Sequence, residues 1–199
     1  MSSGMCGRHH SGYRSDIGSF PRVCFAGLGP RGGGPAGSAH QSSREQAESV
    51  VAATRYRRGI RGFSNSPRAG RYGRTAMAEH RAVSDESVAV IAQIEDPQGV
   101  EQVDEIVNTP GIDAVFIGRA DLAVAYGANS IDEPVIENAV RNVVLAARRS
   151  GISCGVFVGT AAEVSGFVDM GMRFFIVGSD QSLLLRGWAS VVEIASSSK

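Results

Sequence analysis

From Ser87 onward, short apolar runs alternate with amphipathic segments of about 10 to 18 residues, the pattern of parallel strands joined by crossover helices. No other feature constrains the fold as much. The apolar runs predict strands over Val88 to Ile94, Ala114 to Ile117, Cys154 to Val158 and Phe174 to Val177. The segments that follow them predict helices over about Gln98 to Val107, Glu133 to Arg149, Ala161 to Met170 and Ser182 to Ala195. In the helix from Glu133, Val135, Ala139, Val143 and Ala146 make an apolar stripe, and Gly151 stands where a C-cap belongs. Successive strand–helix units of this kind define an α/β fold with a parallel sheet.

Upstream the chain changes character. Ser43-Arg44-Glu45-Gln46 opens a helix to about Thr54, with Ala47, Val50, Val51 and Ala52 at helical spacing and Glu45 near the positive N-terminal end. From Arg57 to Ser84, interrupted by Pro67, Gly70 and Gly73, the sequence reads as a long basic loop. Residues 1–43 are rich in Gly, Ser, Arg and Pro and lack periodicity. They are expected to be disordered, because such a segment buries too little apolar surface to offset its ordering entropy. The expected division is therefore 1–43, low-complexity, and 44–199, folded. Gly27, Gly29 and Gly32 have the spacing of a dinucleotide-binding turn, but Gly33-Gly34-Pro35 follows where a helix would have to receive the phosphate.

Formal net charge is zero, yet the charges are segregated. Up to Ser84, 13 Arg stand against Asp16, Glu45, Glu48 and Glu79, leaving +9; the remainder, with 7 basic and 16 acidic residues, carries −9. Few aromatics are interleaved with the arginines, so no nucleic-acid partner is expected. The only lysine is Lys199, at the chain end. Covalent catalysis through a Schiff base, which needs a buried amine of lowered pKa, is thereby excluded. Cys6, Cys24 and Cys154 have no disulfide or zinc spacing, and no apolar run reaches the roughly 18 residues of a membrane span. These features predict a soluble, cytoplasmic protein without a membrane partner. The Arg-rich, acid-poor start also fits an organelle transit peptide.

In parallel β/α folds the active site forms where the strands end, because the loops there converge. The first predicted strand ends Gln93-Ile94-Glu95, and period-two alternation puts Gln93 and Glu95 on one face. The second ends Ile117-Gly118-Arg119-Ala120-Asp121. Carboxylates at the tops of neighbouring strands suit a hard divalent cation, whose other positions are filled by water or substrate oxygens. The alternative is that Glu95 caps the following helix and Asp121 caps a short turn. Spacing leaves both open. Val158-Gly159-Thr160 and Val177-Gly178-Ser179-Asp180 end the other strands, and Thr160 and Ser179 are read as helix N-caps, with ligand contact as the alternative.

The strings Gln93-Ile94-Glu95, Gly111-Ile112-Asp113-Ala114-Val115-Phe116-Ile117-Gly118-Arg119-Ala120-Asp121-Leu122 and Val177-Gly178-Ser179-Asp180 resemble the HpcH/HpaI aldolase family. So do Glu45-Gln46-Ala47-Glu48, Arg55-Tyr56 and Gly59-Ile60-Arg61-Gly62 upstream. The resemblance implies the C-terminal part of a (β/α)8 barrel, about four β/α units and the helix before them. It implies that Glu95 and Asp121 ligate Mg2+, Mn2+ or Co2+, that Gln93 and Gly118 line the 2-oxo-acid site, and that the Ala120 amide holds the substrate carboxylate. The activity implied is cleavage of a 4-hydroxy-2-oxo acid to pyruvate and an aldehyde, in a homo-oligomer.

Two departures accompany the resemblance. The family usually has proline where Arg119 stands, so this arginine would either clash or add positive charge beside an anionic substrate. The family's early Gly-Glu-His type motif, with its base histidine, and the enolate-steadying arginine of the next strand are not found. His9, His10 and His40 lie in low-complexity sequence, His80 in the basic loop, and Ser15-Asp16-Ile17-Gly18 matches a family segment only faintly. Three readings follow: an aldolase, a non-catalytic protein that binds metal and 2-oxo acid, or a truncated gene product.

Overall fold

The computed structural model describes residues 22–27, 43–57 and 59–197. Five parallel strands form one sheet in sequential order: β1 (Arg22–Gly27), β2 (Val88–Ile94), β3 (Ala114–Ile117), β4 (Ser153–Val158) and β5 (Phe174–Val177). The helices are α1 (Ser43–Thr54), α2 (Met77–Ser87), α3 (Pro97–Glu101), α4 (Val103–Val107), α5 (Arg119–Tyr126), α6 (Pro134–Ser150), α7 (Val164–Met170) and α8 (Asp180–Ser197). Each strand pairs with the next in the chain, as in a section of a barrel wall.

The two sheet faces differ. Val90, Ala92, Ile94, Val115, Ile117, Cys154, Val156 and Val158 join α6 and α4 residues in the main core. The alternate positions Ile91, Ala114 and Phe116 form a second small cluster with Phe174 on the opposite face. Gly155 makes that cluster possible. It lies between Phe116 and Phe174 in the register, and a methyl group there would sit 2.4 Å from Phe174 Cδ1. Without one, the two rings meet edge to face at 5.8 Å.

Arg55 fastens α1 to the N-terminal end of the sheet. One of its amino groups donates to the carbonyls of Val88, at 2.8 Å, and Asp85; the other pairs with Asp113 at 3.0 Å. The Asp113 carboxylate also accepts the Val90 N–H at 2.7 Å. None of the helices is long and apolar enough to cross a membrane, among the described residues.

Several sequence expectations need correction. Residues 22–27 fall inside the stretch expected to be disordered, yet they form β1 along the free edge of β2. The apolar run Val23-Cys24-Phe25-Ala26 within that stretch is long enough for a strand and pairs with β2. The rest of that expectation, for 1–21 and 28–42, lies outside the described residues. The basic loop contains α2, whose buried residues are His80 and Ser84, while Met77 and Val83 are exposed; a helix that buries polar residues shows no apolar stripe. The segment from Gln98 to Val107 is two short helices, and α5 stands where a turn was one option. In α6 Ala139, Val143 and Ala146 are buried as expected, joined by Ile136, Val140, Val144 and Ala147, and only Val135, 39% exposed, leaves the stripe. Gly151 caps α6 in the left-handed conformation, as its position implied.

Candidate metal and oxo-acid site

At the end of β2, Val90, Ala92 and Ile94 face the helices, so alternation turns Gln93 and Glu95 to the other face. Gln93 Nε2 donates to Glu95 Oε2 at 2.7 Å, which fixes the amide beside the carboxylate. The capping alternative for Glu95 is answered by its neighbour. Asp96 is the N-cap of α3, its Oδ1 accepting the Gly99 N–H at 2.7 Å, with Pro97 in the first turn. The dipeptide Asp96-Pro97 was the signal for this.

At the end of β3 the Gly118 N–H donates to the Ile94 carbonyl at 2.9 Å, holding the two strand ends side by side. Helix α5 starts at Arg119, and the Leu122 N–H to Gly118 carbonyl bond, 2.9 Å, closes its first turn. Ala120 and Asp121 are exposed in that turn. The first N–H groups of a helix have no partner within the helix, so the Ala120 amide is available to an anion.

Gly118 is the hub. A methyl group on it would lie 3.2 Å from Glu95 Cβ, 3.3 Å from Asp121 Oδ2 and 3.3 Å from Gln93 Nε2. The residues singled out from strand-end spacing thus surround one point, and that point has no side chain. Any larger residue would push against all three walls. Two carboxylates and an amide gathered at neighbouring strand ends suit a magnesium-type cation, which commonly takes one or two protein carboxylates and completes its shell with water or substrate oxygens. No cluster of three or more His, Cys, Asp or Glu residues suited to a metal occurs among the described residues, so the site does not resemble a closed zinc centre.

Arg119 behaves in neither of the ways expected of it. It does not clash, and its charge is already matched. One amino group lies 3.2 Å from the Phe157 carbonyl and 3.2 Å from Glu163 Oε2, and the guanidinium rests 4.9 Å over the Phe167 ring. Glu163, missed in the sequence because it lies 44 positions away, has its carboxyl held below the ordinary range by the Thr160 N–H, against the opposing effect of burial, and by Arg119. Ser179 caps α8, accepting the Ser182 N–H at 3.1 Å. Thr160 donates its N–H to Glu163 Oε1 at 2.9 Å, as in a capping box.

The only histidine among the described residues is His80, buried between the Tyr56 and Phe63 rings. Tyr56 is held by Asp85, next to the Arg55 anchor at the Val88 end of β2, the end opposite Glu95. His80 is therefore a core residue of the α1–α2 connection. His9, His10, His40 and Asp16 lie outside the described residues. The Cys154 thiol is buried, and burial pushes it up to about 12, which leaves it protonated and unreactive.

The sequence model of the HpcH/HpaI aldolase/citrate lyase family matches residues 41–187. A 5-keto-4-deoxy-D-glucarate aldolase of Escherichia coli is 36% identical over 140 residues, covering 69% of this chain and 54% of the relative. An HpcH/HpaI aldolase/citrate lyase family protein from Burkholderia cenocepacia superposes with a TM-score of 0.75 at 28% identity, over 88% of this chain and 65% of that one. An HpcH/HpaI aldolase from Desulfitobacterium hafniense gives 0.70 at 26% identity, over 78% and 61%. The chain spans about half the length of the curated relatives it matches.

Proposed function

Because the chain belongs to the HpcH/HpaI aldolase/citrate lyase family, we propose that it binds a divalent cation and a 2-oxo acid at the ends of β2 and β3, for cleavage of a 4-hydroxy-2-oxo acid to pyruvate and an aldehyde. The observation that carries this reading is the side-chain-free centre at Gly118, walled by Gln93, Glu95 and Asp121. Glu95 and Asp121 would hold Mg2+, Mn2+ or Co2+. When bound, the cation supplies Lewis-acid polarisation of the 2-oxo oxygen. Gln93, anchored on Glu95, would contact the oxo acid, and the Ala120 amide at the positive end of α5 would hold its carboxylate. This assignment needs no lysine, and the interior has none.

A second reading, binding of metal and 2-oxo acid without cleavage, is favoured by one observation. The sole histidine among the described residues is packed at the opposite end of the sheet, so no described histidine stands beside Gly118. Pyruvate release from a 4-hydroxy-2-oxo acid, followed with a coupled lactate dehydrogenase, separates the two. Release that depends on Mn2+ and stops with a chelator supports the lyase. No release, with thermal stabilisation by Mn2+ plus pyruvate, supports the binding reading.

Self-association belongs to the same proposal, supported by the exposed apolar side chains of α8. A reducing, cytoplasmic setting is supported by the unpaired cysteine spacing and the buried free thiol of Cys154.

A further inference from the structure

We propose that the Arg119–Glu163 ion pair is a brace that sets the position of Asp121, making both members positioning residues for the metal site. The inference rests on the metal reading above and extends it to a residue two positions before Asp121 and to its partner in the next β/α unit.

Asp121 sits exposed in the first turn of α5, two residues after Arg119. That turn is tied backward to its own strand by the Leu122 to Gly118 bond. Sideways, Arg119 ties it to the next β/α unit. All three of its contacts belong there: the Phe157 carbonyl on β4, Glu163 in the turn after β4, and the Phe167 ring on α7. The Glu163 carboxylate is not a loose partner, because its other oxygen accepts the Thr160 N–H at 2.9 Å. The brace thus joins a residue at the start of α5 to a carboxylate fixed by the neighbouring turn.

Stability alone does not account for the pair. The Arg119 side chain is only 11% exposed, and its Nε is buried without a hydrogen-bond partner. Burying a guanidinium with an orphaned N–H is costly, and such pairs are often no better for stability than apolar residues of the same size. What an apolar pair would lose is direction. One amino group of the planar guanidinium reaches a carbonyl and a carboxylate together, which restrains the backbone that carries it. Residues that orient metal ligands typically matter by tenfold or more for metal affinity.

Glu163→Gln isolates the brace, since the glutamine oxygen can still accept the Thr160 N–H while the charge facing Arg119 is gone. Arg119→Met keeps an apolar stem over Phe167. Mn2+ affinity of the 199-residue chain, measured by titration with electron paramagnetic resonance, is expected to fall about tenfold in each variant. The double variant should be no weaker than either single one, because the same contact is removed. Arg119→Lys, which keeps a charge towards Glu163, should recover most of the affinity, whereas a merely structural effect would follow thermal stability instead. Wild-type binding with affinity within about twofold in both E163Q and R119M overturns the brace and leaves the metal reading intact. No binding by the wild type overturns both.

Discussion

Gly118 is a position where one carbon atom should decide function. A methyl group there would meet Glu95, Asp121 and Gln93 together at 3.2 to 3.3 Å, close enough to force all three aside by a few tenths of an ångström. Gly118→Ala should therefore weaken Mn2+ binding at least about tenfold while the thermal midpoint stays near wild type; calorimetric titration beside a melting curve checks both. Asp85 offers a test of a different kind. Burial pushes its carboxyl up, but the Tyr56 and Arg57 N–H groups and the charges of Arg55 and Arg57 outweigh this and hold it below the ordinary 3.8. A lowered folded value means that the stabilisation is complete above the unfolded pKa and is lost as pH falls through the folded one. Between neutral pH and about pH 3 the urea midpoint should drop further in wild type than in Asp85→Asn, and equal drops would contradict the assignment. Strand-end residues such as Gln93 and Glu95 were legible because alternation has a period of two. Glu163 was not, because its pairing with Arg119 crosses from one β/α unit to the next and leaves no local pattern.

Elements were legible in the sequence wherever they bury apolar residues at regular spacing. Strands β2, β3 and β5 have the bounds their apolar runs implied. Helix α2 was hidden because it turns His80 and Ser84 inward, and β1 because its short apolar run, Val23-Cys24-Phe25-Ala26, is embedded in Gly- and Pro-rich sequence. Even in a helix whose buried face was read correctly one stripe position can miss, as α6 shows: Ala139, Val143 and Ala146 are buried, but Ile136 takes the place expected of Val135. Ile136→Ala should cost about 2–5 kcal/mol of unfolding free energy. Val135→Ala should stay within about 0.5 kcal/mol, as for a surface change. Urea denaturation of the two variants tests the corrected stripe, and equal losses would contradict it.

As a whole, the molecule shows a wall of β/α units with apolar surface left uncovered. On α8 Leu183, Leu184, Leu185, Trp188, Val191, Val192 and Ile194 are all mostly exposed, Trp188 by 67%, and Phe157 and Ile176 are exposed on the sheet. The match covers only 54% of the Escherichia coli relative, so the rest of that relative has no counterpart in the aligned residues. Light scattering should show a mass that rises with concentration, reduced by Trp188→Glu; a concentration-independent monomer would contradict the proposed self-association. Segregation of charge, +9 up to Ser84 and −9 beyond, adds attraction between copies that salt should weaken. The central claim, however, is local: Glu95 and Asp121, from neighbouring strand ends, hold one divalent cation. Titrating the wild-type chain and the Glu95→Ala/Asp121→Ala variant with Mn2+, followed by electron paramagnetic resonance, tests it directly. Saturable binding of one ion is expected for the wild type and none for the variant; equal affinity in the two would rule out Glu95 and Asp121 as ligands.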